Sequence, residues 1–300
     1  MASVSTTAGD ARGGIRRASA FLFRHPRVRL GVVLGAPLAW FLLVYLGALA
    51  VLFVSAFWRL DVFTGEIVHQ WGFSNFETLV RESVYRTIAI RTIGIAAAVT
   101  LTDIILSFPL AYFAARIARP RMRNAILLIV VIPLWANYLV RVFAWRLILT
   151  PGGFLNWLAH FFGISLQIGN SSWAIWLTFV YLWLPFTLLP IYGALERVPD
   201  SYLEASSDLG ARGWMTFRRV VFPLILPGIV AGSIFSFSLT LGDYIAPSLV
   251  GNTQFIGTVI YQSTGVSNNV PFAATFAFVP VIVMAIYLWV AKRMGAFDAL

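Results

Sequence analysis

Six stretches of the chain are apolar nearly all round, at roughly residues 30–57, 88–114, 124–148, 173–195, 223–242 and 272–291. A helix with no polar stripe has no side to turn toward water, so such segments belong in lipid or against one another. Each is long enough for the about 20 residues that cross a hydrocarbon core. The first run is far longer than the about 7–15 apolar residues of a secretory signal, so it reads as a first span. The pattern predicts an all-α polytopic membrane protein with about six transmembrane helices. A basic segment over 1–29 precedes a membrane domain over 30–300. In the loop 149–172, "TPGG" marks a turn, and the apolar spacing of "FLNWLAHFFGI" fits either a short interfacial helix or a loop packed on helix ends.

Composition agrees. Of 300 residues, 59% are hydrophobic and 11% charged, too little polar surface to cover a soluble domain of this length. There is no Cys, which excludes disulfides and thiol chemistry. The net charge of +10 does not point to nucleic acid, because no soluble domain is present to carry a basic face. The arginines instead set an orientation. With the N-terminus inside, the inner segments 1–29, 115–123, 196–222 and 292–300 hold six, four, four and two Lys or Arg, sixteen in all. The outer loops hold three: Arg59, Arg81 and Arg86. This asymmetry predicts both termini in the cytoplasm.

One segment breaks the apolar pattern. Residues 204–228 read "EASSDLGARGWMTFRRVVFPLILPG". Ser201 and Glu204 have capping-box spacing, so a helix is expected to begin near Ser201. Leu203 and Leu209 give it an apolar side, and Gly210 stands where a left-handed glycine would end it. A second helix is expected from Gly213 to about Val221. It would place Trp214, Phe217 and Val221 on one face and Arg218 and Arg219 near its C-terminus. Pro223 would then open the next span. A plain connector needs neither the order nor the aromatics, so the helix-turn-helix reads as a partner surface. Gly228 and Gly232, followed by Ser233 and Ser236, form a small-residue face on which another helix can pack closely.

The segment resembles the EAA loop of the membrane subunits of bacterial ABC importers. That pattern runs Glu-Ala-Ala, three residues, Gly, nine residues, Ile, one residue, Leu-Pro. Here it is Glu204-Ala205-Ser206, then Gly210, then Val220, then Phe222-Pro223, with spacing intact and Ser206, Val220 and Phe222 departing from the pattern. The resemblance extends over about 85–290. It implies a type I importer fold in the bacterial inner membrane, with the loop 196–222 docking on a separate ATPase through Glu204, Ala205, Gly210, Trp214 and Phe217. It further implies a second homologous permease, two copies of the ATPase holding ATP and Mg, and an extracytoplasmic solute-binding protein. This chain itself would bind no cofactor. Independently, no G-x-x-x-x-G-K-[ST] occurs, the three His lack ligand spacing, and no catalytic triad pattern is present, so the chain reads as non-catalytic. The rival is an ATP-independent secondary carrier, which often shows two similar halves, and none are visible here. A scaffold is disfavoured by acids within spans.

Three residues are candidates for the solute pathway. Asp103 and Asp243 lie in or at spans, where carboxylates are costly. Asp103 could alternatively pair with an Arg, and Asp243 could cap a helix end. Tyr244 adjoins Asp243, and aromatic faces with carboxylates suit an organic cation. "TLGDYIAPSLVGNTQFIGTVIYQ" and "FSNFETLV" resemble permeases for spermidine and putrescine, a subgroup with relatives for iron, thiamine, opines and phosphonates.

Overall fold

The computed structural model describes residues 23, 25–61, 63–163 and 168–293. Most of the basic segment 1–29 lies outside these residues. By packing, the chain divides after Ser55 into two units. In the first, α1 (Pro26–Trp40) runs through a π-helical stretch, Phe41–Leu46, into α2 (Gly47–Ser55). Pro26 stands in the first turn, where its missing N–H leaves no bond unmade.

The second unit begins with a two-stranded hairpin, β1 (Arg59–Leu60) and β2 (Ile67–Val68), paired antiparallel with Arg59 opposite Val68. A short helix, α3 (Ser74–Arg81), follows. Its Asn75 amide donates to the Ala56 and Trp58 carbonyls at 3.1 and 2.7 Å. Next comes α4 (Ser83–Tyr112), continued by a π turn at Phe113–Ile117.

The third expected span is not one helix. It divides into α5 (Pro120–Val131) with a 3-10 turn (Ile132–Trp135), and α6 (Tyr138–Leu149); the run Pro120–Trp135 is bent by 100° from the run Tyr138–Phe161. Pro133 tightens the backbone before the break, and Ala136 is extended. The Asn137 side chain then accepts the Leu139 N–H at 2.9 Å and restarts the helix. Beyond it lies α7 (Phe154–Phe161). The apolar spacing there does form a helix, with Phe154, Trp157 and Phe161 exposed and Asn156 and Ala159 buried.

At the centre of this unit stands α8 (Ser172–Glu196), packed against α4 and α11 (Phe222–Gly242). Its Ile175, Phe179, Leu182, Leu188, Ile191 and Leu195 are fully buried, as expected of a helix apolar on every side. The spacing of Gly228 and Gly232 produces a close crossing of α11 over α8. A Cβ at Gly228 would stand 2.5 Å from the Ala194 Cβ, and one at Gly232 would stand 2.8 Å from the Thr187 carbonyl oxygen. Two further helices, α12 (Ile256–Gly265) and α13 (Val270–Arg293), pack together through Ile256, Val259, Phe272 and Phe276. Among the described residues, five helices are long and apolar enough to cross a membrane, or six if the bent pair counts as one span.

Candidate functional site

The polar interruption forms α9 (Asp200–Asp208), a turn, and α10 (Gly213–Thr216). The first helix begins with Asp200, after an extended Pro199, and no side chain caps it. The expected Ser201–Glu204 capping box is therefore absent; Pro199 fixes the start, and the acidic Asp200 faces the positive helix end. The C-terminal reading holds. Gly210 has φ +75°. Its N–H bonds the Ser207 carbonyl at 2.8 Å, and the Ala211 N–H bonds the Ser206 carbonyl at 3.1 Å. This is the reciprocal pair with which a left-handed glycine closes a helix.

The second half differs from expectation. Gly213 does not open a separate helix ending near Val221. From α10 the chain passes through a π turn, Phe217–Val221, directly into α11, so the helix is continuous from Gly213 to Gly242. The wider π turn precedes Pro223 and accommodates a residue that cannot donate to the ladder. Arg218 and Arg219 consequently sit inside a helix, not at its C-terminus.

The face predicted from Trp214, Phe217 and Val221 is real. Val221 is buried, Phe217 is half-buried and meets Phe108 of α4 at 5.3 Å between ring centres. Trp214 rests on Phe217 at 5.4 Å yet is 71% exposed. Leu203 packs into the core beside α8, whereas Leu209 is 88% exposed and does not share that side. Glu204 and Ala205 are exposed. Beneath them the buried Ser206 hydroxyl meets the Thr216 hydroxyl at 2.8 Å. The position that departs from the Glu-Ala-Ala pattern thus ties α9 to α10. Cavities of about 380 and 570 Å³ flank the element. The first is bordered by Tyr202, Leu209 and Met215, the second by Leu203, Trp214 and Phe217.

One participant was not singled out from the sequence. Arg116, in the π turn that ends α4, places Nη1 2.7 Å from Asp200 Oδ1 and Nη2 2.7 Å from the Leu195 carbonyl oxygen. Nη2 also donates to the Val198 carbonyl. Nothing in its sequence surroundings marks it out from the neighbouring arginines.

The three pathway candidates occupy two places. Asp103 on α4 is 0% exposed. Among the described residues it pairs with no Arg: Ser236 on α11 donates to its Oδ2 at 2.6 Å, and Oδ1 has no partner there. Asp243, just beyond α11, does cap. Its Oδ1 accepts the Ile245 and Ala246 N–H groups at 2.8 and 2.9 Å, and the Tyr138 hydroxyl donates to Oδ2. Burial pushes this carboxyl above the ordinary carboxylate range, and the three hydrogen bonds oppose that rise. Tyr244, partly exposed, stacks on exposed Tyr261 at 4.5 Å and 13°. Asp103 and Asp243 share no hydrogen-bond partner: Asp103 meets α11 at Ser236, seven residues before Asp243. Among the described residues, no cluster of acids and His has metal-ligand spacing.

Comparison with known proteins places this architecture. Residues 107–295 match the model of the family described as binding-protein-dependent transport system inner membrane component. The inner membrane ABC transporter permease protein YdcU of Escherichia coli is 42% identical over 96% of this chain and 97% of its own length. The spermidine/putrescine transport system permease protein PotB of Haemophilus influenzae is 31% identical over 70% of this chain and 75% of its own. Among solved structures, a bacterial alginate ABC transporter in complex with alginate pentasaccharide-bound periplasmic protein contains a chain superposing with a TM-score of 0.74 at 16% identity, covering 93% of this chain and 98% of that one. A chain of the MetNI methionine ABC transporter, in an inward-facing conformation, superposes with a TM-score of 0.55 at 17% identity, covering 75% and 97%. The chain belongs to the binding-protein-dependent transport system inner membrane components, and is a multi-pass, non-catalytic permease subunit of an ABC importer with the type I fold.

Proposed function

We propose that the transported solute is a polyamine of the putrescine and spermidine class. The observation that carries this is the likeness to spermidine/putrescine permeases at 29–31% identity over 70–88% of the chain. The stacked Tyr244–Tyr261 pair beside Asp243 supports it, since aromatic faces and a carboxylate are what a desolvated ammonium group requires. In this reading Asp243 and Tyr244 lie along the solute's path at one end of the bundle, and Asp103 lies deeper. Both termini and the α9 element face the cytoplasm.

The permease docks through α9 and α10 onto an ATPase that holds ATP and Mg. Glu204, Ala205 and Trp214 form the contact face, Gly210 shapes the turn and Phe217 supports Trp214. A second homologous permease completes the pathway, two ATPase copies drive it, and an extracytoplasmic binding protein delivers the solute. Exposed Leu209 and Trp214 on an otherwise charged surface support such docking, because large apolar groups at a polar rim are typical interface anchors.

The test is ATP hydrolysis by the assembled complex in lipid nanodiscs. Putrescine-loaded binding protein should raise the rate above that with empty binding protein. No stimulation by either putrescine or spermidine would remove the polyamine reading and leave the permease assignment standing.

A further inference from the structure

We infer that Arg116 is the positioning residue that locks the α9 element to the end of α4, so that the two move as one body during the transport cycle. The inference rests on the reading of α9 as the ATPase-docking element.

The geometry is specific. The guanidinium side chain is only 15% exposed, although it comes from a surface turn. Two of its bonds go to carbonyls at the C-terminal end of α8, those of Leu195 and Val198. The Leu195 carbonyl, which also accepts the Val198 N–H at 3.3 Å, belongs to the last turn of α8 and that of Val198 lies just past it, where a cation is the favoured partner. The third goes to Asp200, in the first turn of α9, where an acid is favoured. A single planar fork therefore closes one helix end and holds the start of the next, and both are fixed to α4, which carries it.

The Asp200 carboxylate is 80% exposed, so its ion pair alone is weak. The carbonyl bonds are the sheltered part, and only a guanidinium can span them and Asp200 together; a lysine ammonium is a point donor. Leu203 and Phe217 also pack at this junction, but among the described residues no other side chain bonds the α8 end and α9 together. Arg123 and Glu196 approach only to 3.4 Å, and both are substantially exposed. The consequence is an order of severity: Arg116→Ala above Arg116→Lys, and Arg116→Lys above Asp200→Asn.

The chain has no cysteine, so spin labels can be placed at will. Leu101 on α4 and Asp208 on α9 are both exposed and suit labelling. In the assembled importer, the distance between labels at Leu101→Cys and Asp208→Cys should stay narrow and unchanged between nucleotide-free and ATP–vanadate-trapped states. With Arg116→Ala it should broaden and shift on trapping. Binding-protein-stimulated ATP hydrolysis should fall at least about tenfold, as expected for losing hydrogen bonds to a charged group. Should Arg116→Ala fail to insert, Arg116→Lys carries the test, with a smaller broadening in the same direction. An unchanged distance distribution in either inserted variant overturns the inference. Failure of the docking reading looks different: Glu204→Lys and Trp214→Ala would then leave the ATPase co-purifying at wild-type levels, whatever Arg116 does.

Discussion

The hydroxyls of Ser206 and Thr216 meet at 2.8 Å across the Gly210 turn, with Ser206 buried. This bond joins the two halves of the element that interrupts the apolar pattern. Ser206→Ala should weaken the junction by about 1 kcal/mol, the usual worth of one neutral hydrogen bond. Ser206→Phe should do more, since it removes the same bond and must also push a ring between the helices toward the cavity of about 380 Å³ that Ser206 borders. Limited proteolysis within 205–213, compared across the two variants, checks the order.

Gly210 makes a separate prediction, because nothing lies within 4 Å of where its Cβ would be. Space is therefore not the constraint; the positive φ is. Gly210→Asn should be tolerated, Gly210→Ala should cost about 1 kcal/mol, and Gly210→Val more. Co-purification of the ATPase should fall in that order. Equal retention in all three would show that the turn's conformation does not matter for docking.

The crossing of α11 over α8 should be the least forgiving place in the membrane domain. Gly228→Ala puts a methyl against the Ala194 Cβ and the Pro190 carbonyl, and Gly232→Val meets the Thr187 backbone. Backbone cannot yield as a side chain can, so each should cost about 1–3 kcal/mol. Ala194→Gly should restore part of the loss in Gly228→Ala and none in Gly232→Val. Thermal unfolding in detergent reads both.

Asp103 and Ser236 separate structure from transport. Ser236→Ala removes the one partner of a fully buried carboxylate and should destabilise the fold by about 1–3 kcal/mol. Asp103→Leu removes the polar group altogether and should leave stability near wild type or higher. If Asp103 serves the solute, that stable variant should no longer take up putrescine. A stable Asp103→Leu variant with normal uptake assigns the residue to neither role.

Five of the six expected spans and their approximate places were legible in the sequence because a bilayer demands uninterrupted apolar length. The positions at 173–195 and 272–291 fall within a few residues of α8 and α13. The break in the third span was not legible, since Pro133 and Asn137 are individually compatible with a straight or a bent helix. Nor was the fusion of α10 with α11: Pro223 signals a helix start, and only the π turn before it lets the helix run through. In the site, Gly210 and the Trp214–Phe217–Val221 face could be read from local spacing. Arg116 could not, because it acts on carbonyls about 80 residues away, and carbonyls leave no mark in a sequence. The fate of Leu209 was misread for a related reason: it follows the last helical turn, where periodicity no longer assigns a side.

The continuous helix from Gly213 to Gly242 has a mechanical consequence. Its 30 residues measure about 45 Å. The tight contact with α8 at Gly228 falls close to its midpoint, with Trp214 near one end and Asp243 just past the other. That arrangement is a lever with a central fulcrum. A tilt of about 10° about the crossing would carry the two ends about 4 Å in opposite directions, given the rise per residue of a helix. A push on Trp214 would thereby reach Asp243 and Tyr244 with its direction reversed, and α11 would have to repack on α4, because the Ser236–Asp103 bond and the Phe217–Phe108 contact lie between the two ends.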